Sequence, residues 1–117
     1  MGSIAAKYDI IADQGATLSR VITWNDSNGT PINLTGYTAR MQVRPEASSS
    51  TTILSLTTEN SRITLGGSAG TITLSVAAAD MAAVAAGGYV YDLELVSGGV
   101  VTRLTMGSFT VRAEVTR

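Results

Sequence analysis

The feature that most constrains this chain is a two-residue alternation of apolar and polar side chains that returns in four separate segments. In "YTARMQVR" one side carries Tyr37, Ala39, Met41 and Val43, and the other carries Thr38, Arg40, Gln42 and Arg44. "TITLSV" groups Ile72, Leu74 and Val76 in the same way, and "YVYDLELV" groups Tyr89, Tyr91, Leu93 and Leu95. "SFTVRAEV" does so with Phe109, Val111, Ala113 and Val115. A period of two belongs to a strand with one face buried and one wet, as in antiparallel sheets. Weaker strands are read at 8–12, 17–24, 53–58 and 62–65. In the second of these Arg20 interrupts an inward set of Leu18, Ile22 and Trp24, which places that strand at an edge or against a partner.

The segments between are turn chemistry. "NDSNGTP" carries an Asn-Gly pair, "PEASSS" is a polar loop, and "GGSAG" closes a hairpin between Leu65 and Ile72. Only "AAADMAAVAA" has helix-forming composition, and Gly87–Gly88 stops it. The expected fold is all-β, an immunoglobulin-like antiparallel sandwich of about seven or eight strands. A short helical crossover near 78–86 would carry the chain between sheets. Residues 1–7 are read as an N-terminal arm and 8–117 as a single sandwich domain.

Composition narrows the function more than it narrows the fold. The chain has neither Cys nor His. That removes thiol nucleophiles, imidazole bases, Ser–His triads and the commonest zinc ligands together. Eight basic and nine acidic residues give a net charge of −1 without a like-charge block. No electrostatic footprint for nucleic acid or an anionic membrane is expected, and low net charge favours association. The opening "MGSIAAKYDI" lacks the basic start and apolar run of a secretion signal, and no apolar run reaches about 18 residues. No cofactor or metal is expected: "NDSNGT" lacks the alternating acids and final Glu of a calcium loop.

One stretch, "GGYVYDLELVSGGVVTRLTM", raises acid–base chemistry because Asp92 and Glu94 alternate with Tyr89 and Tyr91. With Gly98–Gly99 as a two-residue turn, Ser97 faces Val100 and Glu94 faces Arg103. Continuing without interruption, Leu93 faces Leu104, Asp92 faces Thr105 and Tyr91 faces Met106. Glu94–Arg103 is then an exposed cross-strand ion pair on a flat, solvated face rather than an acid site. Tyr89 opens a strand after the helical crossover, where sandwiches of this kind place a tyrosine corner. Inward parity changes near Gly107, which places a β-bulge there. Tyr89, Tyr91, Trp24, Gly98, Gly99, Gly107, Glu94 and Arg103 are therefore assigned structural roles, and no residue a catalytic one.

The order of "GATLSRVITWNDSNGTPINLTGYTARMQVR", "ILSLTTENSRITLGGSAGTITLSV" and "GGYVYDLELVSGGVVTRLTMGSFTVRAEVTR" resembles a family of small tailed-bacteriophage virion proteins. More loosely, it is similar to the Ig-like N-terminal domain of phage upper-baseplate proteins. The elements Leu34–Thr35–Gly36–Tyr37, Tyr91–Asp92–Leu93–Glu94 and Glu114–Val115–Thr116–Arg117 carry the resemblance best. The long extension that holds receptor binders in upper-baseplate proteins has no counterpart in these residues. The resemblance implies a non-enzymatic virion structural protein, assembled in the host bacterial cytoplasm. It would dock in multiple copies on other virion proteins of the tail, baseplate or neck as an adaptor for fibres. A capsid decoration protein is the alternative, and a carbohydrate-binding module a more distant one. Partner contacts are expected in loops and tails. The residues chosen are Lys7, Tyr8, Asp26, Asn28, Glu46, Ser48, Glu114 and Arg117.

Overall fold

The computed structural model describes residues 6–116. In chain order the elements are β1 (Ala6–Lys7), β2 (Ile10–Asp13), β3 (Leu18–Thr23), β4 (Thr38–Arg44), β5 (Leu54–Thr57) and β6 (Ile63–Leu65). A 3₁₀ turn (Gly67–Ala69) leads into β7 (Thr71–Val76), followed by α1 (Ala78–Ala82), β8 (Gly87–Ser97) and β9 (Val100–Arg112). One sheet runs β1-β9-β8-β4-β5, with β2 also on β9, and the other runs β3-β7-β6. Lettered in the immunoglobulin manner these are A′GFCC′ facing BED, so the expected sandwich is the observed one. Strand pairing begins at Ala6, inside the stretch read as an arm, because β1 and β2 lie parallel along β9.

The alternating segments supply the core. Met41, Val43, Leu56, Leu93, Leu95 and Phe109 of the larger sheet pack against Ile63, Ile72 and Leu74 of the smaller, all at 2% exposure or less. Each such side chain contributes about 1.5–3 kcal/mol by leaving water. Trp24 is half-buried just past the end of β3, edge-on to Tyr37 at 6.0 Å. The helix is shorter than its composition implied, ending at Ala82. Five residues cannot hold a helix alone. Burial of Met81 and Val84, the Arg62–Asp80 ion pair at 3.0 Å, and the Gln14 amide donating to the Val84 carbonyl hold this crossover in place.

The β8–β9 hairpin turns at Gly98 and Gly99, whose φ values of 55° and 83° are those of a primed turn. Ser97 faces Val100 and Glu94 faces Arg103 as expected. The ladder then slips by one: Leu93 faces Thr105, Asp92 faces Met106 and Tyr91 faces Gly107. The bulge therefore sits at Leu104, not at Gly107. Placing it earlier turns Thr105 inward (5% exposed) and Met106 outward (47%), reversing the parity read from sequence for that stretch. Gly107 has a different task. A Cβ there would lie 2.6 Å from Asp9 Oδ1 and 2.8 Å from the Tyr8 carbonyl, so its hydrogen lets the β1–β2 segment close on β9. Ala113 and Val115 are exposed because β9 ends at Arg112.

Candidate interaction surface

Tyr89 and Tyr91, which flank the paired carboxylates in sequence, are both structural. Tyr89 donates its hydroxyl hydrogen bond to the Ala85 carbonyl at 2.6 Å, four residues upstream, making the expected tyrosine corner. The buried Tyr91 stands edge-on to Phe109 at 6.5 Å and donates to the Tyr8 carbonyl, which ties the N-terminal segment to the sheet. Burial raises the Tyr91 hydroxyl pKa; hydrogen bonding to Thr105 partly offsets this, and the Tyr8 and Asp9 charges add to the rise. The phenol is a fixed neutral donor rather than a base.

The outer face of the larger sheet is not flat. It holds an open groove of about 960 Å³, spanning from Lys7 on β1 to Ser55 and Thr57 on β5. Alternation in sequence reports which side chains share a face, and it carries no information on that face's curvature. Across the groove runs a charge ladder. Arg40 Nε lies 2.8 Å from Glu94, while Arg103 bridges Glu94 at 3.5 Å and Asp92 at 3.3 Å. The bulge at Leu104 sets Arg103 between the two carboxylates. Arg44 donates to Gln42 and to the Ser49 carbonyl (2.7 Å each), tying down the loop after β4. Each pair is exposed and contributes well under about 1 kcal/mol, so together they order a surface more than they stabilise a fold. Val90 and Met106, 37% and 47% exposed, give the groove an apolar component.

The residues chosen from sequence for partner contact do not converge. Asp26 and Asn28 sit in the turn after β3, at the same end of the sandwich as the Gly98–Gly99 hairpin. The Asp26 carboxylate accepts from the Asn28 and Thr30 amides at 2.9 and 3.0 Å, so its role there is to build the turn. Glu46 and Ser48, both exposed, lie at the opposite end with Glu114, whose carboxylate packs on Gly15. Lys7 lines the groove, 3.9 Å from Asp9, and Tyr8 follows it between β1 and β2. Arg117 and residues 1–5 lie outside the described residues. Among the aromatics, Tyr91 and Phe109 are buried and Trp24, Tyr37 and Tyr89 half-buried, while Tyr8 is 37% exposed.

Sequence reading missed Asp9, Asn60 and Arg62 as organising residues. The Asp9 carboxylate accepts from the Ser108 amide at 2.9 Å, and that bond, with smaller help from Lys7, holds its pKa below the usual value against some desolvation. Asn60 and Arg62 close the β5 edge through Ser55 and Thr57. A polar residue alone in a loop carries no signal for such a role. Among the described residues no group of three His, Cys, Asp or Glu could hold a metal ion, and no buried side-chain nitrogen or oxygen lacks a partner. No family model matches the chain, and no curated protein matches it in sequence.

Proposed function

We propose that this chain is a non-enzymatic structural protein of tailed-bacteriophage particles, docking in several copies on the tail, baseplate or neck as an adaptor for fibres. The observation that supports a binding role over a catalytic one is the state of the motif's carboxylates. Asp92 and Glu94 are both ion-paired with arginines on an open sheet face, so their charges order that surface instead of converging on an enclosed cleft. The same ladder leaves a broad ordered groove with Val90 and Met106 in it, a surface for shape-complementary docking. The phage assignment rests on the sequence resemblance, with the Ig-like sandwich in agreement.

The test uses particles of a phage whose genome encodes this chain, separated into capsid-free tails and tail-free capsids and probed with an antibody to it. The expected signal is in the tails, near the fibre attachment point by electron microscopy. Signal retained on tail-free capsids would transfer the protein to head decoration. Absence from both fractions would overturn the virion reading.

A further inference from the structure

The sandwich has edges of unequal exposure to pairing. On β5 the backbone groups of Ser55 and Thr57 face away from β4, since Leu54 and Leu56 take the ladder positions set by the Thr58 amide donating to Ala39. Side chains satisfy two of these four groups, the Thr57 amide and the Ser55 carbonyl. Asn60 Oδ1 accepts from the Thr57 amide at 2.9 Å, and Asn60 Nδ2 and Arg62 Nη1 donate to the Ser55 carbonyl at 2.9 and 3.0 Å. β6 has three residues. On β2, the outward Ile11 carbonyl accepts from Arg20 Nη2.

β3 is different. It is six residues long, pairs with β7 in unbroken register, and has neither proline nor bulge. The Trp24 amide donates to Gly70, directly opposite it in that register. Leu18, Arg20 and Ile22 therefore direct their backbone groups to β7, and Ser19, Val21 and Thr23 direct theirs to the open side. Among the described residues, the Ser19 carbonyl accepts from Arg20 Nη1 at 2.9 Å, and the remaining outward groups of these three have no partner. Their side chains are exposed, Val21 at 59%. Edges of this kind are normally blunted by charged side chains, Pro, bulges or brevity. The one such device on β3 is Arg20, an inward-set charge whose guanidinium donates to the Ser19 and Ile11 carbonyls.

We propose that β3 is a self-association edge, at which two copies pair antiparallel about a two-fold axis through Val21. This register is the one that uses all three outward residues: Val21 meets Val21 of the second copy, and Ser19 meets its Thr23. Every meeting is then of the hydrogen-bonded type. The Val21 pair exchanges both bonds freely, and the Ser19 carbonyl takes a bond from Thr23 of the second copy in addition to, or in place of, the one from Arg20. The outward row matches itself in chemistry, valine on valine and hydroxyl on hydroxyl, and carries no charge. A net charge of −1 leaves little repulsion between copies. One edge strand covers far less than the roughly 1,200–2,000 Å² of a stable interface, so the pairing is weak between free copies and effective when many are held together. This inference rests on the hydrogen-bonding pattern and is independent of the virion assignment.

The experiment is sedimentation of the full chain from roughly micromolar to millimolar concentration, with amide exchange read at single residues. Reversible dimerisation is expected, with the Val21 and Thr23 amides gaining protection as concentration rises. Val21→Pro removes an outward N–H and no internal bond, while Val21→Lys sets like charges across the axis. Each should weaken association by at least about tenfold, and Val21→Lys decides alone if the proline variant does not fold. As the chain has no cysteine, Ser19→Cys and Thr23→Cys report the register: a short bismaleimide should link the mixture far better than either variant alone. A wild type that stays monomeric at millimolar concentration overturns the proposal. So does association that survives both Val21 substitutions or protects Ser55 and Thr57 instead.

Discussion

The two sheets end differently at β5 and at β3, and the difference is one of local sequence. β5 is followed within a few residues by Asn60 and Arg62, which turn back and occupy its outward Thr57 amide and Ser55 carbonyl. β3 runs into the Asp26 turn, whose carboxylate serves its own loop. The strands also differ in anchorage. Leu54 and Leu56 of β5 are buried, whereas in β3 only Leu18 is, with Ile22 half-buried. A deeply seated, capped edge is finished as a surface. A lightly seated, open edge has hydrogen-bonding capacity left over, and in a folded protein that capacity either meets water or a partner.

The largest expected effect tests anchorage. Leu56→Ala should destabilise the domain by about 2–5 kcal/mol, and Ile22→Ala by clearly less, because only the first leaves a fully enclosed cavity. Urea unfolding of the two variants measures the contrast, and equal losses would mean that β3 is seated as firmly as β5. Proline sharpens the same comparison at the backbone. Thr57→Pro loses the amide bond to Asn60 and the hydroxyl that accepts from the Asn60 amide at 2.9 Å, for a cost of about 2–3 kcal/mol. Val21→Pro loses no bond within one copy and should cost under about 1 kcal/mol in dilute solution.

Uncapping β5 is the next test. Asn60→Ala uncaps the Thr57 amide and removes one of two donors to the Ser55 carbonyl, and should cost about 1–2 kcal/mol. Amide exchange at Thr57 should quicken, and an unchanged rate would show that Arg62 and the loop backbone suffice as a cap.

The smallest effect concerns the third edge, where β2 covers β9. Asp9 is held below the ordinary carboxylate pKa chiefly by the Ser108 amide, and Asp13 chiefly by the Arg112 side chain at 2.7 Å. Folded values below the unfolded ones mean stability that is present above about pH 4 and lost as pH falls through the folded values. Both groups are exposed, so the effect is modest. Amides of β2 should lose protection on acidification before those of β4 and β8, and Asp9→Asn should flatten that response. Simultaneous loss across the sheet would argue against this tether.

Much of the fold was legible because alternation and turn chemistry are local. Met41, Leu74, Leu93 and Phe109 were placed inward from period alone, and all are buried. Gly98–Gly99 fixed the hairpin start, and Tyr89 was placed at its corner from its position after the crossover. The bulge was not legible. Leu104 and Met106 alternate with Arg103 and Thr105, so period alone favours Leu104 and Met106 inward, whereas the slip at Leu104 buries Thr105 and exposes Met106. The interaction surface was read less well. Outward residues such as Arg40 and Arg44 were recognised as outward, but loop residues were chosen for contact, and these scatter to opposite ends of the sandwich.

By itself, then, the sequence determined the class of fold, the inward set of each main strand, and the lack of any Cys- or His-based chemistry, because these depend on side-chain period and residue type. Only the tertiary structure decided the position of the bulge, the concavity of the sheet face, and which edge is capped and which is open. Those depend on groups far apart in the chain, as when Tyr91 meets the Tyr8 carbonyl and Asp9 meets the Ser108 amide. Which hydrogen-bonding groups are left over becomes definite only once every strand has found its neighbour.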